Sequence, residues 1–328
     1  MKAPGIYLSL FYLHVLLFSQ GCTQEKSEEV RTNDLSLTQA SQLSREAHKG
    51  THQFKDGSSY EGELAQGVPD GFGTKTFADE NIYQGQFEKG VAHGHGIMRY
   101  KAVPGIDRYF GNWSNGMRSG FGTLVMSDGS ELVGHWEKDG LSHGEFSSPD
   151  GSKYFGKWEE DSLIEGVFIS PLGDRFTGKF DNSGEYLTGS LQTTDQRFYH
   201  GSFQNGKFHG AGILEDSDGS IYTGKFIDGT KHGIGILEDN DGTVYHGEFK
   251  YGLPHGKGVQ FDPSGALYRG EWEAGRRNGK GLLDFGDGTS FSGEFENGRA
   301  TRGQYHWGDG TVTNSYQDED GNWLDYEE

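Results

Sequence analysis

The sequence predicts an all-β repeat protein, and three observations carry that prediction. The first is a recurring phrase of an aromatic, any residue, Gly, any residue, then Phe or Trp. It reads Tyr83-Gln84-Gly85-Gln86-Phe87, Tyr222-Thr223-Gly224-Lys225-Phe226, Tyr245-His246-Gly247-Glu248-Phe249 and Tyr268-Arg269-Gly270-Glu271-Trp272. Counted from its first position, it begins at residues 60, 83, 109, 132, 154, 176, 199, 222, 245, 268 and 291, which makes eleven copies, most of them 23 residues apart. A fixed period of this length marks units that bury their apolar residues only by stacking on neighbours. The second observation is the turn chemistry. Pairs such as Asn115-Gly116, Asp128-Gly129, Asp228-Gly229 and Asp241-Gly242 divide each unit in two, and they suit tight turns because both residue types tolerate positive φ. The third is the alternation inside each half. Tyr222, Gly224 and Phe226 fall on one face of a strand, and in the second half Gly233 and Gly235 strip a face while Ile234 and Ile236 point the other way. A glycine between two aromatics removes bulk where neighbouring rings must pass.

Taken in order, the chain opens on a different kind of segment. Lys2 precedes an apolar run from Ile6 to Phe18, then Ser19-Gln20-Gly21-Cys22. The run is too short to span a bilayer comfortably and suits the core of an export signal. Cys22 is the one cysteine of the chain, so no intramolecular disulfide can form. Its place after the apolar run resembles the processing site of a bacterial lipoprotein signal peptide. That resemblance implies removal of residues 1–21, lipid modification of Cys22 and attachment to a membrane; Thr23, where an Asp would retain the protein at the inner membrane, implies the outer one. An ordinary cleaved signal with an unmodified thiol is the alternative. Residues 22–50 are polar, poor in aromatics and outside the repeat, and read as a tether. Residues 51–313 form the repeat array, and the acidic stretch 314–328 reads as a polar cap on the last edge.

The full pattern is Tyr-x-Gly-x-Phe-x-x-Gly-x-x-His-Gly-x-Gly with Asp-Gly before the next Tyr, and residues 199–212, 222–235 and 245–258 match it at every fixed position. It resembles the MORN repeat (membrane occupation and recognition nexus) over about four fifths of the chain. The resemblance implies that each copy is a β-hairpin and that the hairpins pair side by side into one elongated, twisted antiparallel sheet. About 22 strands at ~4.8 Å would make it ~105 Å long. Tyr83, Phe87, Tyr109, Trp113, Tyr199, Phe203, Tyr222, Phe226, Tyr245, Phe249, Tyr268 and Trp272 are then structural repeat aromatics. Residues 132–198 are the least regular part: Leu132 and Phe176 replace Tyr, and the fourth and fifth copies, like the eleventh, lose the Gly-x-Gly of the second half.

Charge and motifs narrow the function. The net charge is -20, and residues 1–50 hold as many basic as acidic residues, so the whole excess lies on the repeats. Nucleic acid is a poor partner for such a surface, and so are anionic phospholipid headgroups. His93, His143, His209, His232 and His255 share one repeat position in the sequence, which puts successive ones ~10 Å apart, too far to share an ion. Acidic runs such as Glu215-Asp216-Ser217-Asp218-Gly219 are out of EF-hand register. No phosphate-binding loop, metalloprotease or nucleophile-elbow motif occurs, and no cofactor is implied. The expectation is a non-catalytic scaffold for protein contacts, tethered in the cell envelope, with 132–198 as the preferred contact region. The alternative is a binding module for a glycan, cell-wall fragment or phospholipid, with Trp113, Trp136 and Trp158 as an exposed platform. Those three occupy one position in successive copies, where core stacking is the competing role.

Overall fold

The computed structural model describes residues 48–327. Cys22, the signal segment and residues 23–47 of the tether lie outside them. Twenty-five strands run from β1 (His48–Gln53) to β25 (Trp323–Asp325), with no helix among the described residues. Each strand pairs antiparallel with its predecessor and its successor in the chain, so the molecule is one continuous meander. The sheet passes both expected boundaries. β1 starts within the stretch read as tether, and β24 (Val312–Gln317) and β25 form from the stretch read as cap.

Register brings one glycine from each successive strand into a single row across the sheet. Gly50 lies opposite Gly62, Gly62 opposite Gly73, and Gly73 opposite Gly85. The row continues through Gly134, Gly144, Gly156 and Gly166 in the irregular copies and ends as Gly303 meets the buried Ser315. In nine of the eleven copies the aromatic that opens the repeat lies over this row. A Cβ placed on Gly235 would sit 2.5 Å from the Tyr222 hydroxyl and 2.6 Å from its ring. Glycine is therefore required by the ring, and the row is the floor on which the rings rest.

The rings then lock to one another. Tyr222 meets Phe226 of its own strand edge-to-face at 5.1 Å and Phe249 of the next repeat at 4.9 Å. Tyr245 repeats this with Phe249 and Trp272, and Tyr83 and Tyr109 do so with Phe87, Trp113 and Trp136. Each such contact adds roughly 0.5–1.5 kcal/mol beyond burial. Tyr222 and Phe226 are wholly buried, and the hydroxyl of Tyr222 donates to the Lys225 carbonyl at 3.1 Å and lies 3.4 Å from that of His232. Tyr83, Tyr199 and Tyr245 make the same pair of contacts in their copies, and Tyr60 reaches the Glu63 carbonyl and, two residues beyond the equivalent position, that of Phe72.

Those carbonyls are available because the hairpin is bulged. In β14 (Phe198–Gln204) and β15 (Lys207–Glu215), Gly201 pairs with Gly212 while Ser202 pairs with His209, which leaves Gly210 and Ala211 as extra residues, with Gly210 at φ +65°. The fourth and fifth copies carry a bulge one residue shorter: Gly134 pairs with Gly144 and His135 with His143, and Gly156 pairs with Gly166 and Lys157 with Glu165. The glycine missing from these copies is thus the one at the bulge, and the row itself is intact. One consequence corrects the equivalence of the histidines. His143 stands next to the glycine row, whereas His209 and its counterparts lie three residues before it.

Between repeats, the acidic runs build the turns. Asp218 Oδ1 accepts the Ser220 amide at 2.9 Å, and Asp56, Asp128, Asp150, Asp241, Asp287 and Asp309 do the same for the residue two positions on. The backbone bond and the neighbouring hydroxyl of Ser220 hold the Asp218 carboxyl below its ordinary value.

Candidate functional site

The tryptophans that the alternative reading places on an exposed platform are not on the surface, and core stacking is the role the structure shows. Trp113, Trp136 and Trp158 are buried, and each indole N–H donates to a carbonyl of the glycine row: Gly96 at 3.2 Å, Gly122 at 3.0 Å and Gly144 at 3.2 Å. They occupy the Phe position of the ring lattice, where the larger indole gains a hydrogen bond the phenyl lacks. An exposed aromatic platform of these three is therefore excluded.

The ring face opens instead in the middle of the array. The second strand of each hairpin sends one residue over the lattice: in three copies it is a cation, with Arg118 4.4 Å from the Trp136 ring, Lys231 5.4 Å from Tyr222 and Arg277 4.9 Å from Tyr268, and elsewhere outside the middle it is Pro, Ala or, in the seventh copy, Phe208. In the fourth, fifth and sixth copies the corresponding residues are Leu141, Leu163 and Tyr186. Tyr186 stacks flat on Phe176 at 4.0 Å. The strand partners of the opening aromatics change in the same region, where Phe146 faces Leu132 and Phe168 faces Tyr154. Phe146, Tyr154, Phe168 and Tyr186 form a tilted series with centroid separations of 5.7, 4.6 and 6.2 Å, all partly exposed.

Over this series lies a shallow groove of about 280 Å³, lined by Tyr154, Phe168, Tyr186 and Glu185, with Gly184 and Gly206 at its rim. Burial, with smaller contributions from Tyr154, Asp174 and Glu185, pushes the Tyr186 hydroxyl up to about 12, and burial also raises that of Tyr154. Both hydroxyls thus remain neutral donors near neutral pH beside the Glu185 carboxylate. Such a site can take an apolar or aromatic segment bearing a cation. The series is visible in the sequence only as lapses: Phe146 and Phe168 stand where other copies carry Leu, Met or Gln, with Lys75 in the first and Tyr305 in the eleventh, and their register depends on the short bulge. Among the described residues, no group of three or more His, Cys, Asp or Glu is placed to hold a metal ion, and no helix is long and apolar enough to cross a membrane.

A single-layer sheet built from stacked hairpins, with the positions that recur from copy to copy consumed by ring packing, defines a repeat-built binding or scaffold protein. The MORN repeat family model matches residues 60–82, 83–101, 109–131, 199–221, 222–244, 245–266, 268–290 and 291–312, more than half of the chain. The chain belongs to the MORN repeat family. The matches leave out residues 132–198, where the hairpins nonetheless continue in register. No curated protein sequence matches the chain.

Solved structures with similarity include the TCP domain of SAS-4 (dCPAP) from Drosophila melanogaster in complex with a proline-rich motif of Ana2 (dSTIL). It is 13% identical, covers 52% of this chain and 86% of that one, and has a TM-score of 0.30. The G-box domain of the microcephaly protein CPAP is 13% identical over 68% of this chain and 93% of its own, with a TM-score of 0.16. Streptogramin B lyase is 13% identical over 84% and 93%, with a TM-score of 0.15. At these TM-scores none of the three bears on function.

Proposed function

We propose that this protein is a non-catalytic scaffold, held at a bacterial envelope membrane through a lipid on Cys22, whose central groove binds an extended segment of a protein partner. The observation that carries the reading is the tilted aromatic series at residues 132–198. There Phe146, Tyr154, Phe168 and Tyr186 stand partly exposed one after another, and three of them line a groove with Glu185 at its wall. A rigid sheet orders few side chains on binding, which lowers the cost of association. The net charge of -20 favours partners with basic segments over nucleic acid.

Photo-crosslinking from position 187, beside Tyr186, in envelope extract tests the groove. One or a few discrete protein adducts are expected, and Tyr154→Ala with Tyr186→Ala should reduce them at least about tenfold, the loss of two interface anchors. Adducts of equal yield in the double variant would remove the groove from the proposal. Mass spectrometry of the mature N-terminus tests the tether separately: an acylated Cys22 is expected, and a mature chain starting elsewhere would overturn it.

A further inference from the structure

The face of the sheet opposite the tyrosines carries a second feature. The residue just before the row glycine of each second strand points to this face, and in the first four copies it bears a ring: Phe72, His95, Phe121 and His143. From the fifth copy on, the same position holds Glu165, Thr188, Ala211 and Ile234, then Lys or Arg. Hairpins with Glu, Thr or Ala there keep the same glycine row, so the rings are not needed to build the sheet. They are also not buried by it. Phe72 is 38% and Phe121 54% exposed, and His95 and His143 are exposed.

The four rings lie on β3 (Val68–Thr76), β5 (Val91–Arg99), β7 (Met117–Met126) and β9 (Gly140–Ser147). Phe72, His95 and Phe121 are therefore two strand spacings, about 10 Å, apart, and between Phe121 and His143 the intervening strand adds His135, whose ring lies 5.8 Å from that of Phe121. Gln86, whose Oε1 accepts the His95 amide at 2.7 Å and which therefore has its NH2 group to offer, and Asn112 stand between the first three rings on the intervening strands, so the strip alternates ring and amide from Phe72 to Phe121. No carboxylate, Lys or Arg enters the strip between Phe72 and His143. At the other end of the same face, the row alternates charge instead, with Glu248, Lys257, Glu271 and Lys280 in succession. On a chain of net charge -20, an exposed uncharged strip of this length is a departure from the surrounding chemistry.

We propose that the strip is a binding site for an extended β-1,4-linked glycan. Aromatic side chains take up the C–H faces of sugar rings, while amides exchange hydrogen bonds with hydroxyl groups, the combination of apolar contact and few placed polar groups that fixes small ligands. An uncharged polymer meets no repulsion from the acidic protein. The two-strand period is comparable to the disaccharide repeat of an extended β-1,4 chain, in which every second sugar presents the same face. Each ring therefore meets an equivalent face of the polymer, and the rigid sheet holds the rings in place before binding. The site lies on the opposite face from the central groove and is independent of it.

Co-sedimentation of the full chain with insoluble cellulose, chitin and isolated peptidoglycan, against granular starch as an α-linked control, tests the assignment. Retention on at least one β-1,4-linked glycan and none on starch is expected. Phe72→Ala and Phe121→Ala should each weaken it roughly tenfold, the scale of one lost aromatic anchor, and Phe121→Trp should preserve it. Ile234→Ala, at the same repeat position farther along the face, should leave retention unchanged. Thermal melts check that the variants fold, which Ala211 at the equivalent position leads one to expect. The proposal is overturned by absence of retention on all three β-1,4 glycans, by equal retention on starch, or by wild-type retention in both Phe→Ala variants. Capture of a protein from extract that depends on Phe121, with no glycan retained, would assign the strip to a protein partner and equally overturn it.

Discussion

Glycine serves two separate purposes in this chain, and substitution should tell them apart. Gly235 is in the row, and what forbids a side chain there is the Tyr222 ring at 2.5–2.7 Å, the body of an aromatic that cannot swing aside. Gly219 is in a turn, where space is open to 3.9 Å and the constraint is its φ of +87°. Gly235→Ala should therefore cost on the order of 3 kcal/mol through overpacking, and Gly219→Ala about 1 kcal/mol through backbone strain alone. Urea unfolding midpoints measure both. The reverse order would mean that the rings do not rest on the glycine row as described.

At the scale of the hairpin, what the sequence shows and what it conceals have the same origin. The strands, the turns and the stacking role of Tyr222 or Phe226 are legible because alternation and Asp-Gly pairs are local signals. The length of a bulge is not local. Whether His143 counts as a repeat histidine or as a neighbour of the glycine row depends on which residue lies across from it, and one missing residue decides that. The burial of Trp113, Trp136 and Trp158 is hidden for a related reason, since a Phe position filled by Trp reads equally as core or as platform until the carbonyl that accepts the indole is known. The C-terminal end is concealed by composition. Acidic residues mask β24 and β25, yet Trp323 closes the ring lattice there, 4.9 Å from both Phe291 and Tyr305 and 6.0 Å from Phe285. Because repeats contact only their neighbours, Trp323→Ala should weaken the end locally, by about 2 kcal/mol for a half-buried ring. Hydrogen exchange should quicken across residues 291–317 and stay unchanged across 199–258. Uniform acceleration along the whole array would contradict nearest-neighbour stacking.

For the whole molecule, the ring lattice ties stability to alkaline pH. Tyr60, Tyr83, Tyr109, Tyr199, Tyr222, Tyr245 and Tyr268 are all buried in it. Burial is the first cause that raises each hydroxyl, to about 12 for Tyr60, Tyr199 and Tyr268, and upward for Tyr222 as well as for Tyr83, Tyr109 and Tyr245. In the unfolded chain the same hydroxyls ionise near pH 10. Above that pH the unfolded state has lost protons that the folded state still holds, so stability falls with rising pH. The contribution is complete below about pH 10 and is lost progressively toward about 12. Seven equivalent sites act in the same direction, and ionising one exposes the rings of its neighbours. Tyrosinate absorbance from the lattice should therefore appear together with the loss of β circular dichroism, between about pH 10 and 12, and Gly235→Ala should move the onset to lower pH. Full tyrosinate absorbance developing near pH 10 with the β signal intact would show the hydroxyls open to solvent, and would leave the glycine row without the rings that explain it.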